Sequence, residues 1–203
     1  HDHASIATHL FAAPCGCHHP PALAAGADAR LGSNEQDLFS LAPQIPDRFH
    51  VISLRAPHRM GPGSHAWFDF SIEPGGARSY NTEQEAASRA LVAQCVEAAS
   101  AQLDIPPDRV VVGGFSQGGI MALSLLLTRP ELMHAAVVWH SRLMAELLPL
   151  TASHDALVGR KLWLSHGTND NVIPLANALA VRHHMETLPV TVTYREFPGE
   201  HEI

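Results

Sequence analysis

Apolar residues along this chain gather into short runs, several of them β-branched, separated by longer segments of mixed polarity. That alternation is expected where buried strands trade places with amphipathic helices. Residues 49–54, 109–113, 135–139, 161–165 and 190–197 read as strands. A long helix opens at Thr82, with Glu85 three residues on as the second half of a capping box, and Pro106 and Pro107 close it off. Residues 117–128 form a mostly apolar helix that stops before Pro130, and 175–187 a helix begun by Pro174 at its first position. A short helix is predicted over 34–41. Residues 56–80, rich in Gly, Pro and aromatics, read as a long loop, and loops of that length in compact domains are usually functional or mobile. The first thirty residues are rich in Ala, His, Pro and Gly; only 6–11 offers a weak strand, and the rest is left irregular. The pattern predicts an α/β fold in a single domain across 1–203. Its core is a mostly parallel central sheet with helices on both faces, and active residues sit on loops at the carboxyl ends of the strands.

The strongest local signal lies at the end of the second strand, Arg109-Val-Val-Val-Gly-Gly-Phe-Ser-Gln-Gly-Gly119. A β-branched run stops at a serine boxed in by glycines and passes at once into a helix. This is the G-x-S-x-G nucleophile elbow (Gly114, Phe115, Ser116, Gln117, Gly118). A turn this tight forces the serine into strained backbone angles, which only small neighbours tolerate. The strain turns the Ser116 hydroxyl away from the sheet and leaves the Gln117 N–H free at a helix N-terminus, where developing negative charge is favoured.

A serine hydroxyl is a poor nucleophile near neutral pH, so it needs a base, and the base an orienting carboxylate. Asp170 lies on the loop after the strand at 161–165, and His201 on the loop after the last strand. The order Ser, Asp, His is the one expected of α/β-hydrolases. Singly, each has a plain alternative: an Asp after a strand is usually a turn or cap residue, and with 15 histidines any one of them is seldom catalytic. His166 is the local rival to His201, but at a strand end before Gly167 it suits turn geometry or hydrogen bonding better than proton transfer.

These residues resemble a known family. Leu31-Gly-Ser-Asn-Glu-Gln-Asp-Leu38, Arg55-Ala-Pro-His-Arg59, Ala66-Trp-Phe-Asp-Phe70, Gly114-Phe-Ser-Gln-Gly-Gly119, His166-Gly-Thr-x-Asp170 and His201-Glu-Ile203 look like the phospholipase/carboxylesterase family of α/β-hydrolases, which includes the acyl-protein thioesterases. The match runs over about residues 31–203. It implies cleavage of short- to medium-chain carboxylic esters, or of thioesters or lysophospholipids, without metal or organic cofactor, and often as a homodimer. By motif Ser116 matches the nucleophile, Asp170 the acid, His201 the base, and Gln117 one donor of the oxyanion hole. Where the family carries a His-Gly pair before the second donor, this chain reads Ala29-Arg30-Leu31-Gly32, and Leu31 takes the donor's position. Trp67, Phe68 and Phe70 are candidates for the wall of a substrate pocket, or for simple packing of their loop. Met144, Leu147, Leu148 and Leu150 are candidates for an apolar rim. His58 and Arg59 read as loop-fixing residues. The missing His-Gly pair also keeps open a function of another class, a hydrolase-like binding module without useful catalysis.

Composition narrows the picture further. With 13 Lys and Arg against 20 Asp and Glu, the net charge is -7, and no basic stripe is available to follow a phosphate backbone, so nucleic acid is not expected as a partner. No run approaches the roughly 18 apolar residues of a membrane span, and the first residues lack the basic and apolar regions of a secretory signal, which together predict a cytoplasmic protein. Three cysteines fit a reducing compartment rather than a disulfide framework. Cys95 shares the apolar side of its helix with Leu91, Val92 and Val96 and reads as packing. Cys15, Cys17, His18 and His19 resemble a metal cluster only superficially, since C-x-C-H-H is not the usual spacing of a structural zinc site. His1-Asp2-His3 is weaker still.

Overall fold

A computed structural model describes residues 22–29, 40–75 and 78–203. Its centre is a six-stranded sheet built from β1 (Ala22–Ala29), β2 (Phe49–Leu54), β7 (Val110–Ser116), β8 (Ala135–Trp139), β9 (Lys161–Gly167) and β10 (Thr191–Phe197), in the order β10-β9-β8-β7-β1-β2. All five pairings are parallel. The chain leaves β1 for β2 on one side and then crosses back to place β7 on the other side of β1. Strand order therefore reverses between β1 and β7, which opens a crevice at their carboxyl ends, where α/β proteins bind ligands.

Among the described residues three helices accompany the sheet: α1 (Thr82–Leu103), α2 (Gln117–Thr128) and α4 (Leu175–Glu186), with the single turn α3 (His154–Leu157) between the last two. Val92 and Val96 of α1, Leu123 and Leu127 of α2, and Val181 and Met185 of α4 join one buried cluster with Val112, Ala136, Val138, Leu162 and Leu164 of the sheet. Consecutive side chains of a strand point to opposite faces, so these sheet residues share one face. The other face carries Val111, Val137, Trp139 and Trp163, which the described residues cover only in part. The Cys95 thiol packs against the core, and burial pushes its pKa up. No helix among the described residues is long and apolar enough to cross a membrane.

Several boundaries differ from the sequence reading. A strand, β1, lies one in from the edge of the sheet, where no regular structure was expected, paired with both β2 and β7. The loop expected over 56–80 holds two small antiparallel hairpins, β3 (His58–Gly61) with β4 (Ser64–Ala66), and β5 (Phe70–Ile72) with β6 (Arg78–Tyr80). Gly63 turns the first at φ +69°, a conformation that costs glycine little. Helix α1 is capped by Asn81 rather than Thr82, through Oδ1 accepting from the Gln84 N–H at 3.0 Å. Glu85 is then free to pair with Arg89 at 3.1 Å one turn on. Pro174 is the N-cap of α4, one residue before its first turn. The helix expected over 34–41 and the strand over 6–11 lie outside the described residues, apart from the turn at 40–41.

Candidate active site

Strand β7 runs straight into Ser116, whose φ of 55° and ψ of -118° set it in a region of backbone space that a residue with a Cβ seldom occupies. Such a conformation costs about 1–3 kcal/mol and persists only where its surroundings hold it. Ser141 supplies two visible restraints. The Ser141 hydroxyl donates to the Ser116 carbonyl at 2.9 Å, and Ser141 approaches α2 so closely that a Cβ on Gly119 would stand 2.7 Å from Ser141 Cβ. Gly119, just past the pentapeptide, thus has a steric reason to lack a side chain.

The hydroxyl that this elbow presents meets an imidazole. His201 Nε2 lies 3.1 Å from Ser116 Oγ, and His201 Nδ1 lies 2.8 Å from Asp170 Oδ2. A carboxylate only accepts, so Nδ1 carries the proton and Nε2 is left as the acceptor facing the serine. The loop bearing His201 is laced to the one bearing Asp170: the Thr168 N–H donates to the Phe197 carbonyl and the Asn169 N–H to the Gly199 carbonyl, both at 2.9 Å. A Cβ on Gly167 would stand 2.7 Å from the Glu200 carbonyl oxygen, so the lack of a side chain there lets the two loops close. The Phe115 ring, 4.7 Å from that of His201, backs the imidazole.

Asp170 shapes a turn with one carboxylate oxygen and meets imidazoles with the other. Its Oδ1 accepts from the N–H groups of Val172 and Ile173 at 2.9 and 2.8 Å, while Oδ2 faces the imidazoles. Burial by itself would raise its pKa; hydrogen bonds from His201, His140 and the Ile173 N–H outweigh that and hold the carboxyl below the usual carboxylate range.

His140 is the group the sequence did not reveal. It follows β8 at φ 49°, is fully buried, and donates from Nδ1 to the same Oδ2 at 2.7 Å. One oxygen therefore serves two imidazoles. His166, also buried, donates from Nε2 to the Ile173 carbonyl at 2.7 Å and braces the Asp170 turn, the hydrogen-bonding role expected of it. Burial lowers the pKa of both His140 and His166, which keeps them neutral. Potential donor atoms of His140, His166 and Asp170 lie within 4.8 Å of one another, the one such metal-sized group among the described residues. In the structure these atoms are already paired, His140 Nδ1 with Asp170 Oδ2 and His166 Nε2 with the Ile173 carbonyl. Cys15, Cys17, His18, His19 and the His1-Asp2-His3 run lie outside the described residues.

In front of Ser116 lies a cleft of about 240 Å³, walled by Met60, Phe68, Phe70, Tyr80 and Ile120 and bordered by Gln117 and His201. Phe68 is fully buried as part of that wall, and Phe70 is half-buried. Trp67 does not reach the cleft: it is 1% exposed, packed in the core beneath it. Both ends of the Gln117 side chain anchor this segment, Oε1 accepting from the Trp67 N–H at 3.0 Å and Nε2 donating to the Phe68 carbonyl at 2.8 Å. The Gln117 backbone N–H, in the first turn of α2, has no partner within its own helix. Leu31 lies outside the described residues, although β1 runs to Ala29, which is in register with Ser116. Met144 and Leu147 are buried and Leu148 and Leu150 exposed, and none of the four lines the cleft.

Comparison with known proteins agrees with this geometry. Residues 31–203 match the family model described as Phospholipase/Carboxylesterase. An acyl-protein thioesterase 1 of Neurospora crassa is 27% identical over 158 residues, covering 74% of this chain and 63% of its own length. One from Eremothecium gossypii is 35% identical over 94 residues, 46% of this chain and 39% of its own. The chain thus spans less than two thirds of these relatives. In fold it resembles the crystal structure of a carboxylesterase from Mesorhizobium loti, with a TM-score of 0.77 at 20% identity over 90% of this chain and 82% of that one. It also resembles the Zea mays acyl-protein thioesterase 2, with a TM-score of 0.75 at 22% identity over 97% and 91%. An α/β-hydrolase sheet, an elbow serine at its switch point and a family match spanning most of the sequence make this chain a member of the phospholipase/carboxylesterase family of hydrolases.

Proposed function

We propose that the protein is a serine carboxylesterase that hydrolyses short- to medium-chain carboxylic esters through an acyl-enzyme intermediate. The observation that carries this reading is the continuous contact from Ser116 Oγ to His201 Nε2 at 3.1 Å and from His201 Nδ1 to Asp170 Oδ2 at 2.8 Å, at the mouth of an apolar cleft. Ser116 attacks the ester carbonyl while His201 takes its proton. The tetrahedral oxyanion is stabilised by the Gln117 N–H, with Leu31 as the second donor. Collapse expels the alcohol with the proton from His201, leaving an acyl ester on Ser116. Water, deprotonated by the same imidazole, then releases the acid and restores the serine. Asp170 keeps His201 in the required tautomer and stabilises its charged form, with the second imidazole, His140, sharing its load. Phe68 and Phe70 wall the substrate cleft. No step calls for a metal or organic cofactor.

The same machinery cleaves thioesters, and the acyl-protein thioesterase relatives make thioesterase or lysophospholipase activity the neighbouring reading. Family resemblance further supports a homodimer, and the odd cysteine count a reducing, cytoplasmic setting. The test is release of p-nitrophenol from p-nitrophenyl acetate, butyrate and octanoate by the wild type and by Ser116→Ala, with the matching thioesters alongside. Hydrolysis in the wild type alone supports the proposal; equal rates in the two proteins reject it.

A further inference from the structure

The catalytic cleft is apolar on most of its wall, yet two arginines, Arg78 and Arg142, also line it. Both continue into an adjoining polar pocket of about 330 Å³, shared with Asn171, Pro174 and Asn177. Neither guanidinium has a carboxylate partner among the described residues, in a chain whose acidic residues outnumber its basic ones. Arg142 is half-buried; it lies 4.6 Å over the Tyr80 ring and donates from Nη1 to the Tyr80 hydroxyl, while its Nε is buried without an acceptor. Arg78 lies 5.7 Å over the Phe70 ring.

These contacts hold the two cations in place but do not neutralise them. Stacking on an aromatic face orients a guanidinium and leaves its charge available. A partly desolvated cation without a counter-ion is costly, and an anion entering from the cleft removes that cost. The pocket adds a third positive element. Pro174 is the N-cap of α4, so the positive dipole end of a twelve-residue helix borders this space, where the Asn177 N–H and Nδ2 both donate to the Pro174 carbonyl. Two guanidiniums and a helix N-terminus converge one pocket away from the serine.

We propose that Arg78 and Arg142 form an oxyanion subsite that selects esters carrying a negative group, a carboxylate or a phosphate, a few atoms from the scissile carbonyl. This rests on the esterase reading above and narrows it to a substrate class. The apolar wall takes the short hydrocarbon portion, and the arginine wall fixes the far end. A neutral ester of the same length meets only the apolar wall, whereas the charged one also gains charge-assisted hydrogen bonds.

The test compares kcat/KM for mono-p-nitrophenyl glutarate with that for p-nitrophenyl valerate, its neutral counterpart of the same chain length, and for 4-acetoxybenzoate with that for phenyl acetate. The first pair places the anion on the acyl side and the second on the leaving-group side. In the wild type one charged member is preferred by roughly tenfold or more, and the ratio collapses in Arg142→Gln and Arg78→Gln. A wild type without preference in either pair, or a ratio unchanged in both variants, overturns the subsite while hydrolysis of the neutral esters still upholds the esterase reading. Should no ester be turned over, the esterase reading fails, and thermal melting decides the subsite by itself. Millimolar glutarate or inorganic phosphate then raises the wild-type Tm and not that of Arg142→Gln, the effective anion identifying the group recognised; no shift with either anion rejects it.

Discussion

The position of His201 depends on a residue that has no side chain, and Gly167→Ala measures how much. An alanine Cβ at 167 would lie 2.7 Å from the Glu200 carbonyl oxygen and nearer still to that of Gly199, whereas ordinary contact begins at 3.4 Å. The loop must therefore retreat by about 0.7 Å (3.4 - 2.7) at the residue next to His201. The backbone of 167 is outside the left-handed region, so alanine meets no dihedral penalty there and the whole effect comes from the displaced loop. Carried through to the imidazole, the retreat stretches the 3.1 Å contact with Ser116 Oγ beyond hydrogen-bonding range. A misplacement of about 1 Å can cost roughly a hundredfold in rate, so kcat should fall about ten- to a hundredfold. Overpacking should lower stability by only about 1–3 kcal/mol, leaving a folded protein. The assay is p-nitrophenyl butyrate hydrolysis under saturating substrate, beside a thermal melt. A folded Gly167→Ala protein with wild-type kcat would refute the idea that this close approach sets the base.

Three further outcomes follow from the same geometry. Asp170→Asn removes the acceptor that fixes the His201 tautomer, so kcat should drop by roughly a thousandfold or more; a loss of less than tenfold would mean the carboxylate is only a turn residue. Gln117→Ala cuts both anchors of the Trp67–Phe68 backbone, worth about 1–3 kcal/mol together, and should raise KM and speed proteolysis in residues 66–70 more than it lowers kcat; unchanged proteolysis would contradict the anchoring role. His140 and His166 have folded pKa values below the ordinary 6.5 because they are buried. Their stabilisation is therefore complete above that pH and is lost as pH falls through it toward the depressed folded values. His140→Leu removes one such group, so the slope of stability against pH below 6.5 should flatten by up to about 1.4 kcal/mol per pH unit, read from urea midpoints; identical slopes would show that His140 does not stay neutral in the fold.

The elbow was legible because its causes are local: a β-branched strand, a serine among glycines and an apolar helix each announce themselves within a few residues. Residues 49–54 and 135–139 were legible for the same reason. Strand β1 was not, since Ala22-Leu-Ala-Ala-Gly-Ala-Asp-Ala29 holds no β-branched or aromatic residue and alanine favours helices in isolation. Its place between β2 and β7 is decided by the sheet. The hairpins over 58–80 have strands of three or four residues, too short for an alternation to show, although Gly61-Pro62-Gly63 was a turn signal that could have marked the first. In the site, Ser116, Asp170 and His201 could be picked out because each follows a strand in the order the fold demands. His140 follows a strand too, and that was its one available signal; its positive φ and its aim at Asp170 arise from tertiary contacts. Trp67, Phe68 and Phe70 share one reading in the sequence, pocket wall or packing, but adjacent side chains diverge, and Trp67 takes the packing role in the core.

The central claim is that Ser116 is an activated hydroxyl and that His201 activates it. Reaction with a fluorophosphonate, followed by peptide mass spectrometry of the wild type and of His201→Gln, tests this most directly. The account predicts near-stoichiometric phosphonylation at Ser116 in the wild type and labelling slowed by roughly a thousandfold or more in the variant. Equal labelling of the two proteins, or modification at some other residue, would contradict it.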